Sequence, residues 1–141
     1  MFNRVLVALD DSDLADYVIQ CVLQLKLASN ATVVLAHVLA LSETNLEQQP
    51  ADLPFVDPAL GQFRHIEKSL QKYQAELPCK TELEIVNGDP AEEIVRLANI
   101  YQAQLIVLGS RGLTGVNRIL KGSVSSQVVS EASCSVFVVK L

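Results

Sequence analysis

The chain has 141 residues, half of them apolar, and a formal net charge of −5, which suits one domain spanning residues 1–141 with a sizeable core. The acidic balance argues against general nucleic-acid binding, which draws on a basic surface. No stretch has the roughly 18 uninterrupted apolar residues of a membrane span, and Asp10, Asp11 and Asp13 interrupt the first apolar run too early for a secretory leader.

Val5-Leu6-Val7-Ala8-Leu9 is a short continuous apolar run, as in a strand buried on both faces of a parallel sheet. Asp10-Asp11-Ser12 then supplies helix-start chemistry. Leu14, Val18, Cys21, Val22 and Leu25 recur at three- and four-residue steps and predict a helix over 12–29, ended by Asn30. Residues 32–39, rich in β-branched side chains, predict a second buried strand.

Residues 41–58 break the rhythm, with Pro50, Pro54 and Pro58 among polar residues. A loop of this length reads as a mobile surface segment, a lid or a subunit contact. Ala59, Leu60, Phe63, Ile66, Leu70, Tyr73 and Leu77 mark the next helix, and 82–86 alternate as an edge strand with one wet face. Asp89-Pro90-Ala91-Glu92 carries an N-cap acid, a proline at the first helical position and an acid at the third. Ala91, Ile94, Val95 and Ala98 form the inner face of that helix. Leu105–Leu108 is a fourth strand, Ser123 opens a last helix, and Val136–Val139 is a fifth strand.

The order β-α-β-α-β-α-β-α-β predicts an α/β fold: a parallel sheet with helices on both faces and right-handed crossovers. Ligands of such sheets bind beyond the carboxyl ends of the strands, where the strand order reverses. Ala8-Leu9-Asp10, Val38-Leu39 and Gly109-Ser110-Arg111-Gly112 can all reach that edge.

Leu108-Gly109-Ser110-Arg111-Gly112, followed after nine residues by Gly122-Ser123, is a glycine-punctuated loop running into a helix start. Glycines allow close backbone approach, and a helix N-terminus presents unpaired N–H groups and partial positive charge, so the stretch suits an anion such as phosphate. No acid lies between Glu93 and Glu131, an interval that holds Arg96, Arg111, Arg118 and Lys121. Either an anion is held there, or the interval carries a buried strand in which charges are scarce anyway. Asp10 could accept hydrogen bonds from ribose hydroxyls, help hold a divalent metal, or simply cap a helix. Val38 and Leu108 could wall a base or belong to the core. Ser123 and Ser125 could contact phosphate, and Ser123 could also be an N-cap.

Other chemistries find less support. The chain lacks a Gly-x4-Gly-Lys-Ser/Thr loop, a Gly-x-Gly-x-x-Gly after the first strand and a Gly-x-Ser-x-Gly elbow. His37 and His65 have no partner at a useful spacing, and His37 reads as a core or edge histidine. Cys21, Cys79 and Cys134 lack metal-ligand spacing and read as buried thiols in a reducing cytoplasm. The residues alone name no nucleophile–base pair, so no catalytic residue is assigned.

These features together resemble the universal stress protein family over nearly the whole chain. Val5 to Asp10 with Ser12 is similar to its opening strand and acid, and Ala36-His37-Val38 to the end of its second strand. Gly88-Asp89-Pro90-Ala91-Glu92-Glu93-Ile94 is similar to the start of its third helix. Leu105 to Gly112, with the spacer to Gly122-Ser123-Val124-Ser125, resembles the glycine signature of its ATP-binding members. The resemblance implies strand order 3-2-1-4-5, a homodimer paired through the last strand, and a cytoplasmic role in stress tolerance. It implies ATP or a related adenine nucleotide as ligand, accompanied by a divalent cation such as Mg2+ or Mn2+.

Carried over residue by residue, Ala8, Asp10 and Val38 would surround adenine and ribose. Leu108, Gly109 and Gly112 would lie along the nucleotide, and Gly122, Ser123, Val124 and Ser125 would hold phosphates; by its charge alone, Arg111, Arg118 or Lys121 could add to such an anion site. Two departures stand out: Asp11 replaces a common glycine or apolar residue, and Ser133-Cys134-Ser135 replaces Pro-Cys-Pro before the last strand. The functional classes left open are a nucleotide-dependent regulatory or binding protein, a slow ATPase or self-phosphorylating enzyme, and a nucleotide-free dimeric interaction module.

Overall fold

The computed structural model describes residues 2–10, 14–39, 58–110 and 123–140, with the backbone alone at 58–60 and 123. Its elements run β1 (Arg4–Ala8), α1 (Ala15–Gln24), β2 (Thr32–Leu39), α2 (Pro58–Glu76), β3 (Lys80–Asn87), α3 (Pro90–Ile100), β4 (Leu105–Gly109), α4 (Ser123–Glu131) and β5 (Ser135–Val139). All five strands are parallel, in the order β3-β2-β1-β4-β5.

The three inner strands are the apolar ones. Leu6, Val7, Val33, Leu35, Ile106, Val107 and Leu108 are all fully buried, because helices cover both faces of the sheet. Alternation along each strand divides the core into two layers. Val5, Val7, Leu35 and Val107 pack beneath α1 and α2, against Val18, Ile19, Val22, Ile66 and Leu70. Leu6, Ala8, Val34, Ile106 and Leu108 pack beneath α3 and α4, against Ala91, Ile94, Leu97 and Val128.

Helix α1 is shorter than its apolar spacing predicts. It ends at Gln24, and Lys26 takes a left-handed φ of 51° that breaks the helical path before Asn30. The strand at 80–87 sits at the sheet edge as expected, but its residues from Thr81 to Val86 are all half-buried, so neither face is simply wet. On α3 the buried residues are Ala91, Ile94, Leu97 and Ala98, with Leu97 in the place expected for Val95. The three cysteines are half-buried free thiols at the borders of the two core layers, rather than fully buried. Burial pushes the Cys79 and Cys134 thiols above their ordinary value. The stretch 41–57 lies outside the described residues, and Pro58, expected as its last member, is the first residue of α2.

Candidate functional site

The site is set by topology before any side chain is considered. From β1 the chain passes through α1 to β2 on one side, and from β4 through α4 to β5 on the other. The order therefore reverses between the neighbours β1 and β4, and their carboxyl ends flank the crevice where ligands of such sheets settle.

On the β1 side, the Leu9 N–H donates to the Ala36 carbonyl at 2.8 Å, which carries the strand alignment one residue past β1. Asp10 follows it, half-buried, with its Oδ2 out of contact with solvent. Val38, near the end of β2, is half-buried against the α3 and α4 layer. Ala8 and Leu108 pair across β1 and β4, and both are buried in that same layer. Their side chains are core, so a ligand would meet their backbone edge together with Asp10 and Val38.

On the β4 side, Gly109 pairs with Val139, and the Ser110 N–H donates to the Val139 carbonyl at 2.8 Å. The start of the glycine loop is thus held by the end of β5. Arg111, Gly112 and Gly122 lie outside the described residues, as do Arg118 and Lys121. The backbone re-enters at Ser123, the first residue of α4. A crossover helix runs back along the sheet, so its N-terminal N–H groups start at the carboxyl edge. Val124 packs against the α3 side of the core, and Ser125 is buried.

One further piece shapes the same edge. Gly88 closes β3 at φ 147°, and its N–H donates to the Leu39 carbonyl at 3.0 Å. A Cβ there would stand 2.9 Å from the Glu93 side chain, so only glycine fits without a shift. Asp89 then caps α3 by accepting from the Glu92 N–H at 3.0 Å, as its spacing predicts.

Tyr73 of α2 is buried in the core layer beneath α1 and α2. Burial pushes its ionisation well above the usual tyrosine value, and the negative charge of nearby carboxylates, Asp16 first among them, adds to the rise. In the sequence Tyr73 registers only as one position on an apolar stripe. The signal that marks it is chemical: a tyrosine on a buried face must place its hydroxyl somewhere.

His37 is buried in β2, in keeping with the core reading, and His65 is exposed on α2. Among the described residues no group of three or more His, Cys, Asp or Glu is placed to hold a metal ion. No helix among them is long and apolar enough to cross a membrane.

Known proteins share this fold. The universal stress protein family model matches residues 1–140. Universal stress protein YxiE of Bacillus subtilis is 30% identical over 150 residues, covering 99% of this chain and all of the relative. The solved structure of protein MJ0577, from Methanocaldococcus jannaschii, superposes with a TM-score of 0.82 at 28% identity, over 100% of this chain and 97% of that one. A universal stress protein solved in complex with cAMP superposes with a TM-score of 0.69 at 23% identity, over 99% and 97% of the two chains, a likeness of fold. On the family match across 1–140 and the full-length relative, the chain belongs to the universal stress protein family.

Proposed function

We propose that this chain binds ATP, or a related adenine nucleotide, in the crevice between β1 and β4, and acts in the stress response as a nucleotide-dependent regulatory or binding protein of the cytoplasm. One observation carries the reading. The strand order brings Asp10, Val38 and the start of the Gly109 loop, far apart in sequence, to one edge of the sheet at its switch point. The family membership and the cAMP complex of a protein with the same fold agree with it.

In this reading Asp10 accepts hydrogen bonds from ribose hydroxyls. Val38 gives the base an apolar wall, and the backbone at Ala8, Leu108 and Gly109 lines the nucleotide. Arg111 and Gly112 lie along it. Gly122, Ser123, Val124 and Ser125 take the phosphates at the start of α4, where the helix dipole favours negative charge. A divalent cation, Mg2+ or Mn2+, would be held chiefly by the phosphate oxygens, with Asp10 the carboxylate that could add a donor, and it would neutralise phosphate charge beside that acid.

The working unit in this reading is a homodimer paired through β5. This strand is at the sheet edge and carries no charge from Ser135 to Val139, with Phe137 40% and Val138 36% exposed. The opposite edge, β3, bears Lys80, Glu82 and Glu84, and charges on an edge discourage pairing.

Native mass spectrometry of the purified protein mixed with ATP and Mg2+ tests the reading. The expected spectrum shows one nucleotide per chain, depleted in Gly122→Val. A folded protein that carries no adenine nucleotide at any ATP concentration would overturn it.

A further inference from the structure

Asn87 and Gly88 form the joint between β3 and α3. Asn87 is the last residue of β3, pairs with Leu39 and is exposed. Among the asparagines of the chain, Asn87 alone is followed by glycine; Asn30 precedes Ala31 and Asn99 precedes Ile100. The difference is chemical. The main-chain nitrogen after an asparagine can attack the side-chain carbonyl carbon and close a small ring. A side chain on the following residue obstructs that approach, and glycine has none.

The step balances with hydroxide and water alone. Hydroxide takes the proton of the Gly88 N–H, and the nitrogen bonds to Cγ of Asn87. The Cγ–Nδ2 bond then breaks, and the leaving nitrogen takes a proton from water and departs as ammonia. Water opens the cyclic imide in one of two ways. Breaking the new N–Cγ bond gives aspartate. Breaking the bond to the main-chain carbonyl carbon gives isoaspartate, whose chain runs through the former side chain.

Two features of the fold bear on this junction. A Cβ at position 88 would meet Glu93 at 2.9 Å on a φ of 147°, so the fold itself imposes the glycine that makes Asn87 labile. The Gly88 N–H donates to the Leu39 carbonyl at 3.0 Å, and a nitrogen held in that bond is withheld from attack. The bond lies at the outer end of the β2–β3 ladder, on an edge strand, where local opening costs far less than global unfolding.

We infer that Asn87 is a site of spontaneous deamidation in the folded protein, with the bond from Gly88 to Leu39 as the lock that sets its rate. The inference stands apart from the nucleotide reading. Either product puts a new carboxylate two positions before Asp89, and isoaspartate also adds a methylene carbon to the main chain between β3 and α3. Both changes fall against Leu39, next to Val38 at the end of β2.

The test is peptide mapping by mass spectrometry of the full chain, incubated in mildly alkaline buffer either folded or unfolded in guanidinium chloride. The folded protein should show the amide-to-acid mass shift at Asn87 and not at Asn30 or Asn99. Labelling by an isoaspartyl carboxyl methyltransferase should appear with it, and both signals should vanish in Asn87→Gln, whose longer side chain closes its ring far more slowly. The folded chain should convert roughly tenfold more slowly than the unfolded one, the protection of a rung at the low end of local opening energies. An unfolded chain that converts while the folded one does not would overturn the site. Equal rates in the two would overturn the lock, and conversion spread evenly over Asn30, Asn87 and Asn99 would overturn the role of Gly88. All three outcomes are read on wild type, so none depends on a variant that folds.

Discussion

Asp89 and Gly88 show how much a single residue can settle. Asp89 is an N-cap by its spacing alone, and its carboxylate accepts the Glu92 N–H at 3.0 Å. Asp89→Ala should cost about 1 kcal/mol of stability in urea unfolding. Gly88→Ala should cost roughly 1–3 kcal/mol, since it forces a side chain into a left-handed backbone against Glu93. The cap was legible because its chemistry is local. The φ of Gly88 was not, since it follows from how β3 hands over to α3 next to Leu39. The burial of the Tyr73 hydroxyl was illegible for a similar reason, since it follows from how α1 and α2 pack together on one face of the sheet.

Tyr101 gives a prediction in pH. Its hydroxyl donates to Glu84, and that bond, then burial, raises its ionisation far above the ordinary tyrosine value of 10.0. The folded state therefore holds this proton more tightly than the unfolded chain does. Stability from this group is complete below pH 10 and falls as pH rises beyond it. Urea midpoints measured upward from pH 10 should decline, and Tyr101→Phe should decline less steeply. Equal slopes would mean that the Glu84 bond has no influence on this titration.

At the scale of elements, periodicity located every strand and helix of the described residues, while ends were set by local backbone. The inner strands were legible because burial on both faces leaves a continuous apolar run, as in Val5 to Leu9. The end of α1 was not, because Leu25 continues the apolar spacing while Lys26 turns left-handed. The half-buried state of β3 was hidden too, since α2 and α3 cover its two faces from elements distant in sequence. Helix α2 offers a simple gain. Gly61 lies within it, and a Cβ there would meet nothing within 4 Å. Gly61→Ala should stabilise the protein by about 0.5–1 kcal/mol, read as a higher urea midpoint with an unchanged slope.

At the scale of the molecule, the two sheet edges differ in chemistry. The apolar β5 edge is the one that could meet a second copy without placing like charges against each other. Sedimentation should give a dimer for wild type and a monomer for Val138→Lys, and a monomeric wild type would refute pairing through β5. The same strand holds the start of the glycine loop through the Val139 carbonyl, so the edge and the crevice share a rung.

How the crevice is assembled was legible in outline, because Asp10, Val38 and Gly109 end apolar runs that a parallel sheet must align. Which atoms they expose was not, because whether Ala8 and Leu108 serve as wall or as core depends on α3 and α4. The central claim is that this edge takes an adenine nucleotide, and isothermal titration calorimetry of the folded protein with ATP and Mg2+ tests it most directly. The account predicts saturable binding of one ATP per chain, weakened by Ser123→Ala and by Asp10→Asn. No heat of binding, from protein shown to be folded, would contradict it.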